Sequence, residues 1–182
     1  MGCENPRILL RRHKYQKELT KKLDAISAGQ LDMNAFYEIV LWKLNRFPKL
    51  DGTLLKQLRS VHKIKSKDYK CVEPVLRKML QCPGIALPMA STVLRFLNPH
   101  SFQIIDDRVY RIVRPGKAKY PNKPPKPNAT YLDTSVRIYF EYLTDLRELC
   151  CDELPFPKSD RILYQLDIEL GNRIGADAQV DI

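Results

Sequence analysis

Two adjacent carboxylates, Asp106 and Asp107, follow the apolar run Phe102 to Ile105 and precede Arg108-Val109-Tyr110-Arg111-Ile112. The run reads as extended and the segment after it as a helix, so Asp106 stands where a helix starts and can cap it. The same placement can hold an ionised carboxylate against positive charge developing on a substrate. Capping and catalysis are compatible. Asp107, one residue on, should point elsewhere and reads as a first-turn acid favoured by the helix dipole. Upstream, Pro83-Gly84-Ile85-Ala86 is a second candidate. A helix ends at Cys82, Gly84 permits a positive-φ turn, and a new helix begins within a few residues. The amides that open this helix lack internal partners and can bind a phosphate oxygen. A purely structural helical hairpin has the same residues.

The elements that must position these residues are helical. Arg7 to Ala28 forms a long basic helix with Leu9, Leu10, Leu19, Leu23 and Ile26 as its apolar contacts, and Gly29 stops it. Asp32 or Asn34 caps a second helix, in which Phe36, Ile39, Val40 and Leu44 follow the spacing of a buried face, ending near Phe47-Pro48. Trp42 reads as core packing. Leu54 to Leu58 is a short helix and Ser60 to Lys70 a basic connector. Val72, Val75, Leu76, Met79 and Leu80 mark a third amphipathic helix that takes Pro74 in its first turn. Pro88 to Leu97 follows, with Ala90, Val93, Leu94 and Leu97 inward. Arg114 to Asn128 carries five prolines and four lysines, so it is a loop, either a solvated linker or a contact for phosphates. The longest helix places Leu132, Val136, Tyr139, Leu143, Leu146 and Cys150 on one face. Ser159 or Asp160 caps a last helix bearing Ile162, Leu163, Leu166 and Leu170, ending at Gly171. The expected fold is all-α with about eight helices, one domain over residues 1–174 and a loose tail over 175–182.

The net charge of +10 favours a polyanionic partner, nucleic acid before an anionic membrane surface. Five cysteines without a CxxC pair, and no signal peptide, point to a reduced intracellular compartment, cytoplasmic (nucleoid) or nuclear. No apolar run approaches the roughly 20 residues of a membrane span.

Taken together, CPGIALPMASTVL (residues 82–94) and FQIIDDRVYRIV (residues 102–113) resemble the helix-hairpin-helix DNA glycosylase superfamily, the fold of endonuclease III and the adenine glycosylases. Pro83-Gly84-Ile85 matches the hairpin, Ala90 the helix alanine and Asp106 the catalytic aspartate. Val109 and Arg111 match the residues after it. The interval of 12 positions from Leu94 to Asp106 takes the family pattern without a gap. FYEIVLWKLNR (residues 36–46) is similar, more weakly, to the first core helix of that family. The resemblance implies a helix-hairpin-helix architecture and double-stranded DNA as partner, bound by a monomer. It implies Pro83, Gly84, Ile85, Ala86, Leu87, Arg108 and Arg46 at the DNA. It places Trp42, Asn45, Phe47 and Tyr110 at a base pocket or as a wedge.

Three departures shape the expected activity. No lysine lies between Lys78 and Lys117, so the hairpin-lysine Schiff base of the lyase members is excluded. Ala86 replaces the second hairpin glycine. The four-cysteine iron–sulfur loop is missing, since the C-terminal third offers only Cys150 and Cys151. The expectation is a monofunctional glycosylase of base excision repair, hydrolysing an N-glycosidic bond with Asp106, without a metal or required cofactor. A monovalent cation held by hairpin carbonyls is compatible with it. The alternative is a non-catalytic DNA-binding module on the same fold. A third possibility keeps lyase chemistry through Lys67 or Lys78.

Overall fold

The computed structural model describes residues 15–44, 48 and 50–173. Among these the chain is all-helical, with eight α-helices, several 3-10 turns and no strand. It divides into two compact units, Met1–Pro48 and Lys49–Ile182.

In the first unit, α1 (Lys17–Asp24) and α2 (Met33–Lys43) pack against each other. The first helix ends before Gly29, because Ser27 takes the Gln30 side chain through both its amide and its hydroxyl and a 3-10 turn follows. Asp32, not Asn34, caps α2 by accepting from the Ala35 amide at 2.7 Å. The expected inner stripe is outward: Phe36, Ile39, Val40 and Leu44 are all exposed. The packed residues are instead Ala35, Glu38 and Trp42, one face further round the helix. Glu38 pairs with Lys22 at 2.6 Å, and Trp42 Nε1 donates to Thr20 Oγ1 at 2.8 Å. The Trp42 ring also meets Tyr15 edge-on.

The second unit holds α3 (Gly52–Ser60), α4 (Glu73–Gln81), α5 (Leu87–Leu97), α6 (Asp107–Val113), α7 (Ala129–Leu149) and α8 (Ser159–Glu169). Asp51 caps α3 through the Leu54 amide, and Asn128 caps α7 through that of Tyr131. The connector between α3 and α4 is two 3-10 turns rather than open loop. Leu76, Met79 and Leu80 of α4, Leu87, Ala90 and Leu94 of α5, and Tyr139, Leu143 and Leu146 of α7 form one core with Phe102 and Ile105. Each leucine, isoleucine, methionine and phenylalanine among them contributes about 1.5–3 kcal/mol by leaving water. Leu97, expected inward, is exposed at the end of α5.

The segment that carries Asp106 into place is the buried run Ser101 to Ile105. It has no partner strand, so side chains satisfy its backbone. Arg147 donates to the Ser101 carbonyl at 2.7 Å, Tyr139 to Gln103 at 3.1 Å and Tyr142 to Ile104 at 2.6 Å. The Ile105 amide donates to Ser91 Oγ at 3.1 Å. Asn98 anchors the start of the run, donating to the Val61 and Ile64 carbonyls. The run is thereby fixed between α5 and α7.

The last helix departs most from expectation. Neither Ser159 nor Asp160 is its cap; the Ser159 hydroxyl donates back to Phe156, and Asp160 accepts from the Arg161 amide. Ile162, Leu166 and Leu170 are exposed, whereas Asp160, Leu163 and Asp167 are buried. Two aspartates face inward because three arginines of α5 and α6 meet them there.

Candidate active site

Asp106 is the N-cap of α6, in extended conformation. Its Oδ1 accepts from the amides of Arg108 and Val109, each at 2.9 Å. Its Oδ2 has no protein partner among the described residues. The carboxylate lines a depression of about 290 Å³ together with Ile104, Asp160, Arg161 and Tyr164. Burial pushes its carboxyl above the ordinary aspartate range; the two amides pull it back and the charges of Asp107 and Asp160 push it up again. One oxygen is thus fixed by the helix start, and no described residue bonds the other.

Asp160 is not a second free carboxylate. Its Oδ2 lies 3.1 Å from Arg95 Nε, and both side chains are almost fully buried. Arg95 also donates to the Pro157 carbonyl at 3.1 Å. Tyr164 presents a partly exposed ring, with the Arg108 guanidinium 5.4 Å from its centroid. Asp160, Arg161 and Tyr164 were not among the expected site residues. Asp160, Tyr164 and Asp167 do recur along one side of α8, but the apolar Ile162, Leu166 and Leu170 mask that spacing, and nothing in the sequence marks Arg161.

Arg108 and Arg111, which follow the aspartate, are engaged within the protein. Both reach Asp167, Arg108 at 2.8 Å and Arg111 at 2.6 Å. Arg108 also donates to the Asn172 carbonyl at 2.9 Å. The Arg108 head is therefore committed to α8 rather than presented to a phosphate. Tyr110 does not line the depression. It is buried among Tyr120 and Tyr142, with its hydroxyl donating to the Ala118 carbonyl at 3.0 Å. Trp42 belongs to the first unit, and Asn45, Arg46 and Phe47 lie outside the described residues. Lys67 is exposed and Lys78 donates to Gln57 at 3.0 Å; neither lines the depression.

Asp107 points away, as expected, but into the proline-rich loop. Its Oδ1 accepts from Tyr120 at 2.6 Å and its Oδ2 from Lys119 at 2.7 Å. Burial would raise the Asp107 carboxyl, but these partners outweigh it and hold it low. Residues 114–128 are therefore not a free linker. They form a strap pinned to the start of α6.

The turn between α4 and α5 has Gly84 at φ +81°, with Pro83 and Gly84 exposed and Ala86 half-buried. Ile85 and Leu87 are buried in the core, so only their backbone is available to a ligand. Ala86 is the N-cap of α5 without a side-chain bond, and Pro88 removes one amide from its first turn. The strap reaches this turn as well: Lys123 Nζ donates to the carbonyls of Cys82 and Ile85. The carbonyl pair that a monovalent ion would use here already holds a cationic group, so the turn does not fit a resident ion. Among the described residues no cluster of His, Cys, Asp or Glu could hold a metal, and no helix is long and apolar enough to cross a membrane.

No protein-family model matches the chain, and neither curated proteins nor solved structures show a match.

Proposed function

We propose that the protein is a monofunctional DNA glycosylase that flips a damaged or modified base from the duplex and hydrolyses its N-glycosidic bond. The observation that carries this reading is the Asp106 carboxylate, one oxygen held by two helix amides, lining a depression together with Tyr164 and Ile104. Extrusion of the base costs a few kcal/mol and is least for a damaged or mispaired base. The Tyr164 ring is suited to stack on it. As the C1′–N bond lengthens, its electron pair leaves with the base and the sugar gains oxocarbenium character. Asp106 stabilises that cation across the depression. Water bonds to C1′, its proton passing to Oδ2 and on to the departing base or solvent. The excess positive charge, +10 over the chain, supplies sequence-independent attraction to phosphates.

The test is mass spectrometry of bases released from a panel of lesion-bearing duplexes by wild-type protein and Asp106→Asn. The expected result is release of at least one base by wild type and binding without release by the variant. Release at the wild-type rate by the variant overturns the role of Asp106. Binding by wild type with no release across the panel replaces the enzyme with a non-catalytic DNA-binding module. A borohydride-trapped protein–DNA adduct would instead bring a lysine into the chemistry.

A further inference from the structure

We infer that Lys123 is the built-in cation of the α4–α5 turn, holding the Cys82 and Ile85 carbonyls in the role that a bound monovalent ion would otherwise fill. Three observations carry it. First, two backbone carbonyls three residues apart converge on one point, and the group at that point is an ammonium. Converging carbonyl oxygens are the ligand set of a hard monovalent cation, and an ammonium carries the same unit charge. Second, Cys82 is the residue at the C-terminal end of α4, where the helix dipole favours positive charge. Its carbonyl also accepts from the Ile85 amide at 3.2 Å, so fixing it fixes the turn. Third, the chain is built to deliver this lysine. Pro121, Pro124 and Pro125 flank it and restrict φ, which lowers the entropy lost on folding. Lys119 and Tyr120, just before it, are tied to Asp107.

The consequence is mechanical. An ion bound by carbonyls dissociates at low salt and exchanges with its competitors. A lysine does neither. The strap from residue 119 to residue 123 links the turn to Asp107, the neighbour of Asp106, through covalent chain. Lys123 is thus a positioning residue that sets the turn relative to the start of α6. Burial lowers its pKa, the electrostatic cost of removing an ammonium from water.

The test needs no DNA, so its failure is separable from failure of the glycosylase reading. Thermal unfolding of wild-type protein and Lys123→Met is compared in potassium, sodium and tetramethylammonium chloride at equal ionic strength, with thallium-205 NMR as a direct probe of ion binding. Wild type is expected to melt at the same temperature in all three salts and to show no bound thallium signal. Lys123→Met is expected to melt about 2–4 °C lower in tetramethylammonium, to regain this in potassium, and to show bound thallium. Rescue by potassium is a readout that a merely structural side chain would not give. Bound thallium or a potassium-dependent melt in wild type overturns the inference, and that arm holds even where the variant fails to fold. A variant that folds but gains nothing from potassium overturns it too.

Discussion

Arg95 Nε lies 3.1 Å from Asp160 Oδ2, in an ion pair almost wholly shielded from water beside the depression that Asp106 lines. This pairing separates the two carboxylates of the depression by role. The Asp160 charge lies against a guanidinium, whereas no described residue bonds Asp106 Oδ2. The pair also draws the start of α8 onto α5, which brings Tyr164 to the rim.

Asp160→Asn should therefore be strongly destabilising. It leaves the Arg95 guanidinium buried without its counter-charge, a loss of about 3–5 kcal/mol. The double variant Arg95→Met/Asp160→Leu should recover most of that stability, since well-packed apolar groups replace a buried pair at little cost. Urea unfolding of the three proteins measures both. An Asp160→Asn variant as stable as wild type would mean that the pair is not held as described.

Asp106→Asn should separate stability from activity. Asparagine caps a helix as well as aspartate does, so the bonds to Arg108 and Val109 survive. The folded-state pKa of Asp106 is raised, chiefly by burial. Its contribution to stability is therefore present below the ordinary aspartate range and lost as pH rises through the raised pKa. At neutral pH the variant should melt at or above the wild-type temperature, with the difference shrinking in acid. Base release should fall about 10²–10⁴-fold. In wild type, release should rise with pH on an acid limb whose midpoint lies above that of an ordinary aspartate. A variant that melts lower at neutral pH contradicts the dominance of burial.

Asp167 ties α6 to α8 through Arg108 and Arg111, and it is fully buried. Asp167→Asn should cost about 3–5 kcal/mol and raise hydrogen exchange in both helices together. Because the Arg108 head is committed to this cluster, Arg108→Gln should lower stability while leaving the salt dependence of DNA binding unchanged. Loss of a true phosphate contact would reduce that slope by about one unit.

Much of the fold was legible because it rests on local signals. The spacing from Leu132 to Leu146 defines α7, Asp32 and Asp106 cap as their positions suggest, and Gly84 adopts its positive φ. What could not be read depends on partners distant in sequence. The apolar residues Ile162, Leu166 and Leu170 outweigh Asp160 and Asp167 in any periodicity argument, yet the aspartates are inside, because arginines 56 to 65 residues away meet them. Tyr139 reads as one more inner-face residue, whereas its hydroxyl and that of Tyr142 replace the strand that Gln103 and Ile104 lack. The lysines of the 114–128 loop read as solvated or as phosphate contacts, and two of them are the fastenings of the strap.

The strap should open when its Asp107 anchor is cut. Tyr120 is buried and its hydroxyl donates to Asp107 at 2.6 Å. Tyr120→Phe removes one bond and leaves Lys119 on the same carboxylate; Asp107→Ala removes both. Limited proteolysis within residues 114–128 should accelerate modestly in the first variant and markedly in the second. The Asp107 pKa is lowered, so its contribution is present above the ordinary aspartate range and is lost as pH falls through the lowered value. Cleavage of wild type should accordingly rise in acid, whereas Asp107→Ala should show little pH dependence.

Gly84 and Gly116 together test whether the α4–α5 turn meets DNA. Both have positive φ, +81° and +70°, and a Cβ added at either would meet no atom of the described residues within 4 Å. Alanine at each position therefore costs backbone strain alone, about 1–2 kcal/mol, without a clash. The two substitutions should lower the melting temperature by similar amounts. Their effects on DNA should differ. Strain at Gly84 acts within the turn whose carbonyls Lys123 holds and whose helix opens without a side-chain cap, so Gly84→Ala should weaken binding to duplex DNA severalfold. Gly116 lies at the far end of the strap, just after α6, so Gly116→Ala should bind as wild type does. Fluorescence anisotropy with a short labelled duplex, read beside thermal melts, gives both numbers. Equal losses of affinity would assign the effect to stability, and no loss in either would remove the turn from the DNA interface.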